Sequence, residues 1–270
     1  MSRINLCEPW NSLTHVKNVV VYEQPLNERV RTLLRLAFLF RQATHRLRGT
    51  STWDSRATLA SLNEILDVLG RSDLKTELLK ELERHQLGLG RLRTVAGVDQ
   101  ERLQNILTEL GRHQARLHGS TTQLGQVLRD NEFLASLRQR SNIAGGTCDF
   151  DLPGYHYWLQ QAAEQRVQQL SEWLATLDEI RAPVDLLVNL IRESATPTRE
   201  QAAAGFFQRA LDTATPYQLI RVALPADAQY FAEISGGKHR FSVRFLEPQG
   251  HARPRQVEHD VDFQLFCCAL

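Results

Sequence analysis

From about residue 25 to 195, apolar residues recur along the chain at helical spacing. Val30, Leu33, Leu34, Ala37 and Phe38 fall at i, i+3, i+4, i+7 and i+8, Pro25 sits at a first-turn position and Gly49 supplies a stop, so a helix is expected over 25–48. The same spacing predicts helices over 52–69, ended by Gly70, over 73–93 with Ser72 as N-cap, and over 100–118 between Asp99 and Gly119. A broken stretch from 120 to 152 contains a short helix around 124–141 and then the turn IAGGTCDFD. Beyond Pro153 helical patterning resumes over 155–175 and, after Pro183, over 184–194. The connections are as short as those of a helix bundle.

Near 195 the period changes. ATPTRE reads as a proline-bearing linker, and YQLIRVAL at 217–224, AQYFAEIS at 228–235, HRFSVRFL at 239–246 and VEHDVDFQLF at 257–266 alternate polar and apolar positions with turn residues between them. These predict an antiparallel meander. NVVVYEQ at 18–24, with three consecutive valines, reads as a further strand whose partner is sought in the C-terminal sheet. The expected fold class is α+β: an N-terminal helical bundle domain over 25–195 and a smaller antiparallel β domain over 196–270 that also recruits the strand 18–24, with a poorly ordered leader at 1–17.

Composition narrows the function. Of 270 residues, 32 are Lys or Arg and 31 are Asp or Glu, a net charge of +1 that argues against a histone-like polyanion binder and against an acidic disordered chain. The cysteines, Cys7, Cys148, Cys267 and Cys268, form no C-x-x-C pair and suit neither zinc nor a disulfide framework, which fits a reducing, cytoplasmic compartment. LLRLAFLF at 33–40 is interrupted by Arg35 and is far shorter than the roughly 20 residues that span a bilayer. His113 and His118, five apart, cannot share a metal face and read as surface or cap histidines. ISGGKHRF at 234–241 lacks the rest of a phosphate loop and reads as a hairpin turn. No nucleophile elbow, dinucleotide signature or acidic metal cluster is present, so no catalytic residue, cofactor or metal is expected.

The arginines are distributed unevenly. Six of them, with His45 and no acid, lie between 29 and 48, whereas 54–86 holds seven acids. At 100° per residue Arg31, Arg35, Gln42 and Arg46 share a stripe about 60° wide beside the apolar face. Such a stripe is either an ordinary solvated face or a set of guanidinium forks for carboxylates or phosphates. A second concentration, Arg129, Arg138 and Arg140, precedes a Gly-Gly turn and then Tyr155, His156, Tyr157 and Trp158. Arginine beside aromatics suits a peptide pocket or stacked bases; core rings with arginines capping helix C-termini is the plain structural alternative.

The same segments carry a resemblance. VVVYEQPLNERVRTLLRLAFLF at 19–40, KTELLKELERHQ at 75–86, GVDQERL at 97–103, FLASLRQRSNIAGGTCDFDLPGYHYWL at 133–159 and HRFSVRFL at 239–246 resemble the ZapD (Z-ring-associated protein D) family of bacterial cell-division proteins, over essentially the whole chain beyond its leader. The resemblance implies a helical and a β domain, a homodimer, direct binding to the tubulin-like GTPase FtsZ at the division site, bundling of FtsZ filaments, and no catalysis. Arg35, Arg129 and His156 match the family's basic pocket for the FtsZ C-terminal tail, a short peptide mixing acids with apolar residues. Arg31, Arg138 and Arg140 join them on spacing alone. The runner-up is a nucleic-acid-binding helical protein using the same arginines; near-neutral charge and the lack of a helix-turn-helix or zinc finger disfavour it.

Overall fold

The computed structural model describes residues 18–71 and 73–270. The leader, with Cys7, and the Ser72 cap lie outside the described residues. The structure is α+β, an N-terminal helical region followed by antiparallel sheets.

Strand β1 (Val19–Pro25) precedes helix α1 (Glu28–Arg46). Pro25 therefore closes a strand rather than opening a helix. Asn27 caps α1, its Oδ1 accepting from the Val30 amide at 2.9 Å. α2 (Thr52–Leu69) begins with a capping box, Ser51 and Asp54 each accepting from the other's backbone amide. α3 (Leu74–Gly90) runs into one turn of 3-10 helix over Arg91–Thr94, and α4 (Gln100–Gly119) is capped by Asp99, which accepts from the Arg102 amide at 3.0 Å.

Over 124–141 the structure has two helices, α5 (Gln126–Arg129) and α6 (Glu132–Ser141). Asn131 separates them because its side chain accepts from the Leu134 amide and so restarts the helix. Similarly 155–175 divides into α7 (Pro153–Leu159) and α8 (Ala163–Ala175). α9 (Asp178–Glu193) contains Pro183 in its second turn instead of starting after it. Loss of one amide there is outweighed by Ile180, Val184, Leu187 and Ile191, all almost fully buried on one face.

The chain forms two compact units, one of 18–31, 87–107 and 188–270 and one of 32–86 and 108–187. The first holds both sheets. β1, β4 (Tyr217–Pro225), β8 (Val261–Ala269) and β2 (Thr198–Ala202) form one, in the order β1-β4-β8-β2. β3 (Phe206–Ala210), β6 (Arg240–Gln249) and β5 (Phe231–Gly236) form the other, with β7 (Ala252–Gln256) also paired to β6. The N-terminal strand is thus recruited antiparallel to β4, with Val21 opposite Ala223 and Glu23 opposite Arg221.

The single meander is corrected to two sheets, with β4 and β5 in different ones. Their inward faces share a core in which the rings of Phe245 and Phe263 lie 5.1 Å apart and those of Phe207 and Phe263 5.2 Å apart. β2, β3 and β7 have no apolar alternation to announce them; β7 (ARPRQ) is exposed throughout and exists by pairing with β6.

Candidate functional site

The four clustered site candidates that follow, together with Arg35, belong to the helical unit of 32–86 and 108–187. An aromatic core organises it. Phe133 of α6 contacts Tyr155 and Trp158 of α7 and Trp173 of α8 at centroid distances of 6.0, 5.5 and 5.8 Å, so three short helices are fixed around one ring. Tyr155 belongs to this core at 5% exposed, and burial pushes its hydroxyl up to about 12.

Two basic groups lie at opposite ends of α2. At its C-terminal end, Gly125 takes the left-handed conformation (φ 70°) that opens α5 against Leu66 and Leu69, where a Cβ would come within 3.1 and 3.2 Å of their methyls. That approach lets Arg129 donate from Nη2 to the Leu66 carbonyl at 3.3 Å, so part of its guanidinium caps α2. Burial, and then the charge of Arg138, hold Arg129 below its usual range, so the two guanidiniums sense each other. Asp67 and Asp130 oppose that shift from outside ion-pair distance; among the described residues neither guanidinium has a carboxylate within 4 Å, and the buried Nε of Arg129 has no hydrogen-bond partner.

The second group surrounds the turn over 142–152. Gly145 adopts φ 72°, and at Gly146 a Cβ would lie 2.6 Å from the Arg140 carbonyl oxygen, so the two glycines serve the turn for different reasons. Asp149 holds His156 (Nδ1 to Oδ1, 3.0 Å) and Arg56 of α2 (3.7 Å), while Asp151 holds Arg140 at 3.4 Å. Arg56 also donates to the Thr147 carbonyl at 3.2 Å and lies over the rings of Trp53 (5.5 Å) and Tyr155 (4.9 Å). Buried Arg166 of α8 donates to Ser55 Oγ and to the carbonyls of Thr50, Leu159 and Gln161, tying the start of α2 to the end of α7.

The six sequence candidates therefore separate. Arg129 and Arg138 come together, as do Arg140 and His156 through the turn. Arg35 is exposed on α1, one turn from Thr32, which accepts from Arg71 at the C-terminal end of α2. Arg31 falls in the sheet-bearing unit, half exposed and 3.1 Å from Glu28. Arg56 escaped the sequence reading: it lies in an acid-rich stretch, and its bond to Thr147 crosses 91 residues. Its one visible signal was its place three residues after Trp53. His113 is a correction: it is 2% exposed on α4, with Glu109 3.6 Å away, not a surface or cap group. Among the described residues no three metal-ligating side chains cluster, and no helix is long and apolar enough to cross a membrane.

Comparison with known proteins decides the family. The model of the ZapD family, described as a cell division protein, matches residues 34–244, a span containing both ends of α2, the glycine turn, strands β2 to β5 and the first half of β6. This chain belongs to the ZapD family. It is also 47% identical over 255 residues to the cell division protein ZapD of Methylococcus capsulatus, a match covering 94% of this chain and all of that relative. ZapD membership attaches the fold above to cell division; Arg35, Arg129, Arg138, Arg140, His156 and the turn lie inside the matched span, and Arg31 precedes it.

Proposed function

We propose that this protein binds the acidic, apolar C-terminal tail of the tubulin-like GTPase FtsZ and, as a homodimer in the cytoplasm at the division site, cross-links FtsZ filaments into bundles. ZapD membership supports an accessory role in division. The observation that carries the reading is the pair Arg129 and Arg138, two mutually repelling guanidiniums, of which Arg129 has an unfilled buried donor and feels Asp67 and Asp130 without pairing with either, and Arg138 has no carboxylate within 4 Å among the described residues. Such a pair gains most from an incoming carboxylate, which accepts from both forks and relieves their repulsion. His156, Arg140 and Arg35 extend the basic surface, and Arg31, in the sheet-bearing unit, stands as a candidate on its spacing in α1 alone. Bundling follows if a two-fold dimer repeats the surface, since each copy then holds one filament.

Co-sedimentation with polymerised FtsZ tests the reading, with full-length FtsZ beside FtsZ lacking its tail. Arg138→Glu is the cleanest variant, because Arg129 also caps α2 and its loss costs stability. The protein should pellet with full-length filaments only, Arg138→Glu should abolish it at unchanged circular dichroism, and added salt should weaken it as the Debye length shrinks from about 10 Å toward about 3 Å. Equal pelleting with tailless filaments, or salt-sensitive retention on DNA without FtsZ binding, refutes it.

A further inference from the structure

Three large aromatic side chains crowd the turn at the N-terminal end of α2 and stay in solvent: Trp53 is 75% exposed, Phe150 83% and Tyr157 71%. Single exposed apolar residues are ordinary, but several within a few residues of one ion-pair cluster mark a contact surface. The backbone at Trp53 and Phe150 is held by local contacts. Trp53 follows the Ser51–Asp54 capping box and lies under the Arg56 guanidinium. Phe150 stands between Asp149 and Asp151, each held by cations, so the chain is clamped on both sides of a ring that touches solvent. Fixing the backbone in advance lowers the entropy lost when a partner covers such a ring.

We infer that Trp53 and Phe150 form an anchor site for a bulky apolar side chain of the acidic peptide whose carboxylate docks at Arg129 and Arg138; this rests on the function proposed above. Charge selects the occupant. Asp149 and Asp151 at the turn are already paired with Arg56, His156 and Arg140, whereas Arg138 has no carboxylate within 4 Å among the described residues, so the uncompensated charge on this surface is a guanidinium, which favours an acidic peptide over a second copy of this chain. Spacing specifies the peptide further. Arg56 and Leu66 are ten residues apart on α2, about 15 Å at 1.5 Å per residue. An extended peptide covers that distance in about five residues, so acid and anchor should be separated by about that number.

The test uses a synthetic peptide of the FtsZ C-terminal tail, titrated by calorimetry against the full chain and against Trp53→Ala, Phe150→Ala and Arg138→Glu. Both aromatic variants should bind at least about 10-fold more weakly with unchanged circular dichroism, as expected of buried aromatic anchors. With Trp10 replaced by Phe, the emission of Trp53 should shift to the blue on saturation, since Trp158 and Trp173 are buried with or without the peptide. Wild-type affinity in both aromatic variants while Arg138→Glu loses binding overturns the anchor and leaves the arginine reading standing. If the wild-type protein does not bind the peptide, both readings fall. If Trp53→Ala instead changes the oligomeric state in sedimentation velocity at unchanged peptide affinity, the surface is a contact between copies and the anchor is refuted.

Discussion

Arg166→Met removes the clamp between the start of α2 and the end of α7 while keeping the length of the side-chain stem. Arg166 is 5% exposed, and its partners are Thr50 O at 2.8 Å, Leu159 O at 3.0 Å, Ser55 Oγ at 3.2 Å and the Gln161 carbonyl. No carboxylate neutralises it among the described residues, so its stabilisation comes from charge-assisted bonds to backbone oxygens. Each such bond contributes about 1.5–3 kcal/mol, against which stands the cost of burying a guanidinium, several kcal/mol on its own. Methionine recovers that burial cost but strands the carbonyls; Thr50 is exposed and Gln161 partly so, so water reaches those two, while Leu159 is buried. The expected net loss is about 3 kcal/mol, a fall in Tm of roughly 6–12 °C for a chain of this size. Scanning calorimetry measures it, with Arg166→Lys as the intermediate case, since a single ammonium keeps the charge but not the fork. Because Arg166 ties α7 to α2, the Met variant should also weaken FtsZ co-pelleting through His156. A Tm within about 1 °C of wild type would refute the clamp.

Glu23→Gln should destabilise the sheet-bearing unit by about 2–3 kcal/mol, because Arg192 (2.8 and 2.7 Å) and Arg221 (3.0 Å) lose the carboxylate they share. Burial opposes ionisation of Glu23, but the bonds and charges of these two arginines hold its carboxyl below the usual range. Its contribution is therefore present above the unfolded value of about 4.3 and lost as pH falls through the folded one, so the gap between variant and wild type in urea titrations should close in acid. Burial pushes His85 down to about 4, so between pH 6.5 and 4 the unfolded chain binds the extra proton and stability falls with pH, by about 3 kcal/mol at the lower end. His85→Gln should flatten that part of the pH–stability curve. Gly146→Ala should cost about 1–2 kcal/mol in thermal melts and weaken FtsZ binding, since its methyl meets backbone at 2.6 Å, whereas Gly154→Ala, with nothing within 4 Å, should leave both unchanged.

Local patterning determined a good deal of this protein. The apolar spacing of α1, α2 and α4, the Asp99 cap and the alternating runs of β4, β6 and β8 were all legible, because one buried face and a satisfied helix end are properties of neighbouring residues. The ZapD likeness was legible for a related reason, since its motifs are contiguous strings. Long-range choices were not. β2, β3 and β7 carry no period of their own and become strands only where β8 and β6 offer unpaired amides and carbonyls. Pro183 stays inside α9 because burial of the helix face outweighs one missing hydrogen bond, and a short sequence window cannot weigh those two quantities. The candidate site divides in the same way. That arginines cluster at 129–140 is written in the chain; that Arg129 half caps α2 while feeling the charge of Arg138 depends on how α5 and α6 pack. Arg56 reaches the turn across 91 residues and Arg166 reaches the Thr50 carbonyl ahead of α2 across 116, and only the tertiary structure brings a guanidinium to a carbonyl that far away.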